Sequence, residues 1–153
     1  MSDPCSCPPT AHVIIAGYGI VGRAVAELLD RLDIPFCVVE LNPSTVDRVH
    51  RGGTSIIAGD IRNEATLREA GIEHATTLAL AMPDEKQVLA ALQAARRLNP
   101  SVRIITRCSF SSAGMMATRF GADAVIVAEQ VVAKEFARAV NELLPKSSNT
   151  HPT

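Results

Sequence analysis

Apolar residues along the chain fall into two alternating textures. Short unbroken runs, such as Val13-Ile14-Ile15-Ala16 and Ile56-Ile57-Ala58, are separated by longer stretches in which apolar positions recur every third or fourth residue. Unbroken runs of this length predict strands buried on both faces, and the spaced stretches predict helices with one covered side. The predicted strands lie at Ala11–Ala16, Pro35–Glu40, Thr54–Ala58, Thr76–Met82, Val102–Thr106 and Ala124–Val127. Between them stand helices with recognisable ends. The first covers about Ile20–Leu32. Asn42 caps the second, with Pro43 at its first position and Gly52-Gly53 closing it. Asn63 caps a short third helix closed by Gly71, and Pro83-Asp84 opens a long fourth, whose Val88, Ala91, Leu92 and Ala95 share a face until Asn99-Pro100 stops it. The fifth helix covers about Ser111–Phe120 and ends at Gly121; the sixth covers Val131–Leu144 and stops at Pro145.

Strands so apolar on both sides, each followed by a helix, predict an α/β fold: a doubly wound, parallel six-stranded Rossmann sheet with helices on both faces. The simplest right-handed winding gives the strand order 3-2-1-4-5-6 and places a ligand crevice at the carboxyl ends of strands one and four, where the winding reverses. One domain is expected over residues 11–145, with polar, aperiodic tails at 1–10 and 146–153 expected to be disordered. At 153 residues the chain suffices for one core and not for two.

The turn after the first strand carries G-Y-G-I-V-G, which is a dinucleotide-binding fingerprint when a strand precedes it and a helix follows. Gly17 permits the tight turn, Gly19 lets backbone approach a pyrophosphate, and Gly22 lets helix and sheet pack closely. The helix N-terminus offers unpaired N–H groups and partial positive charge to phosphate. Glu40 ends the second strand, where a carboxylate accepts from both hydroxyls of an adenosine ribose and repels a 2′-phosphate. NAD or another adenine nucleotide is therefore favoured over NADP.

Composition narrows the partners. A net charge of −1 with acidic and basic residues interleaved, and only 3% aromatic residues, argues against nucleic acid. No apolar run reaches the length of a membrane span, so no direct membrane insertion is expected; the first residues lack signal-peptide character, and a cytoplasmic location is expected. Cys37 and Cys108 lie in or beside strands, and Cys5 and Cys7 lie in the Pro-rich tail; this usage indicates neither a disulfide framework nor a metal site. No histidine falls beside a nucleophile at the crevice, and the lone tyrosine, Tyr18, sits inside the glycine loop. Catalysis is not expected.

Polar or permissive residues recur at the strand ends: Glu40, Leu41 and Asn42 after the second, Gly59-Asp60-Ile61 after the third, Met82-Pro83-Asp84 after the fourth and Arg107 after the fifth. Asp60 either accepts from an adenine amino group, with Ile61 against the base, or is a turn aspartate ahead of a helix. Arg107 either reaches phosphate or a distal ribose, or lies in solvent or an interface. Arg23 points at phosphate or at solvent. Cys108 reads as a buried, inert thiol rather than one activated by Arg107.

Taken together, G-Y-G-I-V-G-R, V-V-E-L-N-P, A-G-D-I-R-N-E-A-T-L-R-E-A-G-I, M-P-D-E, I-I-T-R and F-G-A-D-A-V-I-V resemble the TrkA-N, or RCK N-terminal, domain family over roughly His12 to Leu144. The G-D-x-x-N-E-x-x-L-x-x-A-G-I stretch is more specific than the glycine loop. Within the family the chain looks most like the cytosolic domains of Kef-type potassium/proton antiporters. The resemblance implies a nucleotide-sensing domain that regulates potassium transport and forms a homodimer. Carried over by motif, Gly17, Tyr18, Gly19, Ile20, Val21 and Gly22 would hold phosphate, Glu40 the ribose, Asp60 and Ile61 the adenine edge, and Met82, Pro83 and Arg107 the distal half, with Leu41 and Asn42 counted in the cofactor site beside Glu40. Ile20 stands where many members have an arginine that serves a polyphosphate, which favours NAD(H), AMP or ADP over ATP; Gln87 stands where the family often has Asn. With no spanning segment in the sequence, regulation is expected to act in trans on a membrane potassium transporter or antiporter. An NAD-dependent oxidoreductase completed by oligomerisation is the alternative. The apolar face of the last helix is expected to cover its own sheet by default, with a twin subunit as the other occupant.

Overall fold

Six parallel strands alternate with six helices in a computed structural model that describes residues 12–146. In chain order the elements are β1 (Val13–Ala16), α1 (Ile20–Arg31), β2 (Phe36–Glu40), α2 (Pro43–Arg51), β3 (Ile56–Ala58), α3 (Glu64–Glu69), β4 (Thr77–Leu80), α4 (Glu85–Leu98), β5 (Arg103–Cys108), α5 (Ser111–Arg119), β6 (Ala124–Val127) and α6 (Ala128–Leu143). The sheet runs β3-β2-β1-β4-β5-β6, as the pattern predicts. Ile15 pairs with Val38 on one side and Ala79 on the other, so β1 is the central strand about which the winding reverses. The tails, including the Cys5/Cys7 segment, lie outside the described residues apart from Lys146.

The pleat sorts the apolar residues of each strand between two cores. Ile14, Leu78, Leu80 and Ile104 point into the larger one, where Leu67, Val88 and Leu92 of α3 and α4 meet them. Val13, Ile15, Val38 and Ile56 point the other way, against Ala26 and Leu29 of α1 and Val49 of α2. Helix starts follow the sequence signals: Asn42, Asn63 and Asp84 accept from backbone N–H groups of Ser44, Ala65 and Gln87. Asn99 does more than stop α4. Its Nδ2 donates to Ile72 O at 2.8 Å, and its Oδ1 accepts from the N–H groups of Ser101 and Val102, tying the α3–β4 and α4–β5 connections together. Cys37, deep in β2, is disulfide-bonded, a pairing that the cysteine usage does not announce.

Among the described residues, the α1 face of the sheet is covered only over β1–β3. Over β5 and β6 it stands bare, with Ile105 37% and Ile126 48% exposed. The sixth helix does not close this gap. It begins three residues earlier than the pattern predicts, directly from β6, and no residue along it is buried. Phe136 is 72% and Leu143 85% exposed, so the expected default of packing onto its own sheet is overturned. Without a loop after β6, the helix has no slack in which to fold back.

Candidate functional site

A cleft of about 480 Å³ opens at the carboxyl ends of β1 to β4, at the predicted switch point. That volume and a largely apolar lining suit a nucleotide-sized ligand. Gly17 forms its floor. It has a positive φ of 91°, and its N–H donates to Val39 O, so the chain turns sharply out of β1 while still bonded to β2. Gly22 is required for a different reason: a Cβ there would sit 1.9 Å from Gly17 O, so α1 could not approach the loop. A Cβ on Gly19 would meet nothing within 4 Å. Gly19 therefore leaves open space beside the first turn of α1, a turn with neither an acidic residue nor a side-chain cap.

Glu40 organises the rim. Its Oε2 accepts from the Tyr18 N–H at 2.8 Å and its Oε1 from the Asn42 N–H at 2.9 Å, which clamps the glycine loop to the end of β2. An ionised carboxylate has about four lone-pair sites, so two remain to accept from vicinal hydroxyls. Leu41, 55% exposed, and Ile61 supply apolar walls beside it. Met82 packs its side chain against the loop, with Cγ 3.1 Å from where a Gly17 Cβ would lie.

Gly17, Glu40, Leu41, Asn42, Asp60, Ile61, Met82 and Pro83, all candidates from the sequence, line the cleft together. Asn42 spends its Oδ1 on capping α2. Tyr18 leans onto the α1-side core, while Gly19 and Ile20 are exposed at the loop, Ile20 at 82%. Val21 and Arg107 lie elsewhere: they line a second, apolar groove of about 320 Å³ with Val25, Ile105 and Val131. The reach of Arg107 toward a distal ribose is thus replaced, in this arrangement, by a place on the bare sheet face. Asp84 and Gln87 also line the cleft.

Asp60 is doubly explained. It is a turn aspartate, accepting from the Arg62 N–H, and it also faces the cleft. The Arg62 guanidinium bonded to it holds its carboxyl below the ordinary carboxylate range. Arg62 escaped the sequence reading; the D-x-R spacing across a tight turn is the signal that could have found it. Glu85 of α4 accepts from the N–H groups of Ser109 and Phe110 and so fixes the start of α5, although none of the three lines the cleft. Burial pushes the Cys108 thiol up, the opposite of what a nucleophile needs. His12 is buried at the amino end of the sheet, where its Nε2–H donates to Ala70 O at 2.8 Å.

The model of the TrkA-N domain family matches residues 13–128. The chain belongs to the TrkA-N domain family. Among curated relatives, this TrkA-N chain is 32% identical over 133 residues to the putative cation/proton antiporter YbaL of Escherichia coli, covering 87% of the chain and 23% of the antiporter. It is 27% identical over 133 residues to potassium channel protein 1 of Methanocaldococcus jannaschii, covering 85% of the chain and 40% of the channel. The chain thus spans well under half the length of these relatives. The crystal structure of the TrkA-N domain of YbaL superposes with a TM-score of 0.79 at 32% identity, over 89% of this chain and 98% of that one. The AMP-bound carboxyl-terminal domain of a Kef protein from Shewanella denitrificans superposes with a TM-score of 0.79 at 24% identity, over 89% of this chain and 82% of that one. Among the described residues, no helix is long and apolar enough to cross a membrane.

Proposed function

We propose that this TrkA-N domain binds an adenine nucleotide, NAD(H), AMP or ADP, and uses its occupancy to regulate potassium transport by a membrane channel or antiporter. The observation that carries the reading is the Glu40 clamp: one carboxylate holds the glycine loop through Tyr18 and keeps lone pairs for a ribose within the same cleft. Gly17, Gly19 and Gly22 with the first turn of α1 would hold the phosphates, Glu40 the ribose hydroxyls, and Asp60 and Ile61 the base. Ile20, carrying no charge, adds nothing for a third phosphate, which disfavours ATP. The family's channel and antiporter relatives support potassium transport as the regulated process.

The domain would act as a homodimer. It carries an amphipathic helix, α6, with no buried residue, and an apolar groove walled in part by Val131 and Val132 at the start of that helix, while Phe136 and Leu143 farther along it stay exposed. A second copy placing its α6 against the exposed face would cover both at once, reciprocally, as a two-fold contact requires. Val21 and Val25 of α1 line that groove while the N-terminus of α1 borders the glycine loop. A phosphate seated on the loop would therefore bear on the same helix that forms the dimer face, which is the coupling a regulatory domain needs.

Thermal shift and calorimetry with NADH, NAD, AMP, ADP and ATP test the reading, because a ligand that binds only the folded state raises the apparent Tm. Saturable binding of NAD(H), AMP or ADP is expected, with ATP weaker; no stabilisation by any of the five would overturn it. Sustained hydride transfer to a small carbonyl by the purified chain would favour the oxidoreductase alternative instead.

A further inference from the structure

Three carboxylates line the cleft, Glu40, Asp60 and Asp84, and no positively charged side chain does. Ionised carboxylates only accept hydrogen bonds, so the side-chain donors facing a ligand there are two carboxamides, those of Asn42 and Gln87. Four of the five polar side chains lining the cleft are engaged within the protein: Glu40 with the Tyr18 and Asn42 N–H groups, Asn42 with Ser44, Asp60 with Arg62, and Asp84 with the Gln87 N–H. The Gln87 carboxamide alone has no partner among the described residues. Its backbone is nevertheless fixed, because Asp84 Oδ1 accepts from the Gln87 N–H at 3.0 Å. The head of α4 also faces the turn after β3, since Asp84 lies close enough to Arg62 to help keep that guanidinium charged. Half-buried Gln87 thus stands with Asp60 and Ile61 at the end of the cleft assigned to the base.

We infer that Gln87 is a specificity-determining residue that selects adenine over guanine. This rests on the proposal that the cleft takes an adenine nucleotide. A carboxamide presents an acceptor and a donor side by side, and adenine presents the complement, an amino donor beside a ring-nitrogen acceptor: Oε1 accepts from the 6-amino group while Nε2 donates to the ring nitrogen. A flipped carboxamide would match the O6 and N1–H of guanine, but O6 would then face Asp60 and Asp84, which have no proton to give it. The carboxylates thus settle which way the amide is read, and the amide supplies the donor that they lack.

The test uses the full chain and three probes: AMP; GMP; and purine riboside 5′-monophosphate, which lacks only the 6-amino group. Each is titrated calorimetrically into wild type, Gln87→Leu, which keeps the bulk without donor or acceptor, and Gln87→Glu, which keeps an acceptor and loses the donor. The Asp84 cap uses the backbone N–H of residue 87, so neither substitution removes it, and thermal melts confirm that both variants fold. Wild type is expected to bind AMP about tenfold tighter than either other probe. Gln87→Leu is expected to weaken AMP about tenfold and to shrink its advantage to less than about threefold, with Gln87→Glu between. GMP bound by wild type as tightly as AMP, or an AMP-to-GMP ratio unchanged in Gln87→Leu, overturns the inference and leaves the nucleotide reading standing. Failure of wild type to bind any of AMP, ADP and NAD overturns the nucleotide reading itself, and this inference with it.

Discussion

Glu40 and the three glycines of the first turn serve different physical ends, and substitutions separate them. Glu40→Ala removes acceptors for two hydroxyls and is expected to weaken AMP or NAD binding by about tenfold, as charge-assisted hydrogen bonds of this strength imply; calorimetry reads it, and unchanged affinity would sink the ribose assignment. Gly19→Val adds bulk to space that the protein itself does not fill. It should abolish nucleotide binding and leave the circular-dichroism melt near wild type. Gly22→Ala is the converse: its methyl would collide with Gly17 O, so about 3 kcal/mol of stability should go, seen as a lower urea midpoint. The glycines and Glu40 were legible in the sequence because a backbone that must turn within a few residues leaves few choices of side chain. Arg62 was not. Its partner is decided by the path of the turn after β3, which brings the guanidinium back onto a carboxylate two residues earlier.

At the scale of elements, helix starts were the most legible feature, since Asn42, Asn63 and Asp84 act on backbone within three residues of themselves. Asn99 shows the limit of that reading. The sequence marks it as the end of α4, yet it is buried and binds Ile72 O across the fold while its carbonyl oxygen takes two backbone N–H groups. Asn99→Ala strands these groups away from water and is expected to cost about 2 kcal/mol, measured by urea unfolding; a loss under about 0.5 kcal/mol would mean that water replaces the bonds. Arg96 plays a similar part, donating to Pro100 O, Val102 O and Gly121 O from the solvent side of α4. The start of α6 was misplaced because Ala128 to Gln130 have no apolar signal of their own, and the helix there continues the path of β6 rather than following a turn.

Across the whole molecule, the bare groove and the unburied α6 are two halves of one surface. Val132→Asp combined with Phe136→Asp puts two charges on the exposed helix face and should convert a dimer to a monomer in sedimentation velocity, with the Tm of the monomeric fold little changed because neither side chain is buried in it. A wild type that sediments as a monomer at all concentrations would remove the dimer from the proposal. The sequence by itself determined the six strands, their order and the glycine loop with its acid, because period, turn chemistry and right-handed crossover are local or nearly local constraints. Tertiary structure alone decided which strand-end residues share the cleft, that Arg107 faces the apolar groove, that Asp60 pairs with Arg62 and that α6 buries none of its residues on its own sheet. Those outcomes depend on the directions side chains take once separate segments meet, and an apolar face written in the sequence does not say which copy of the chain will cover it.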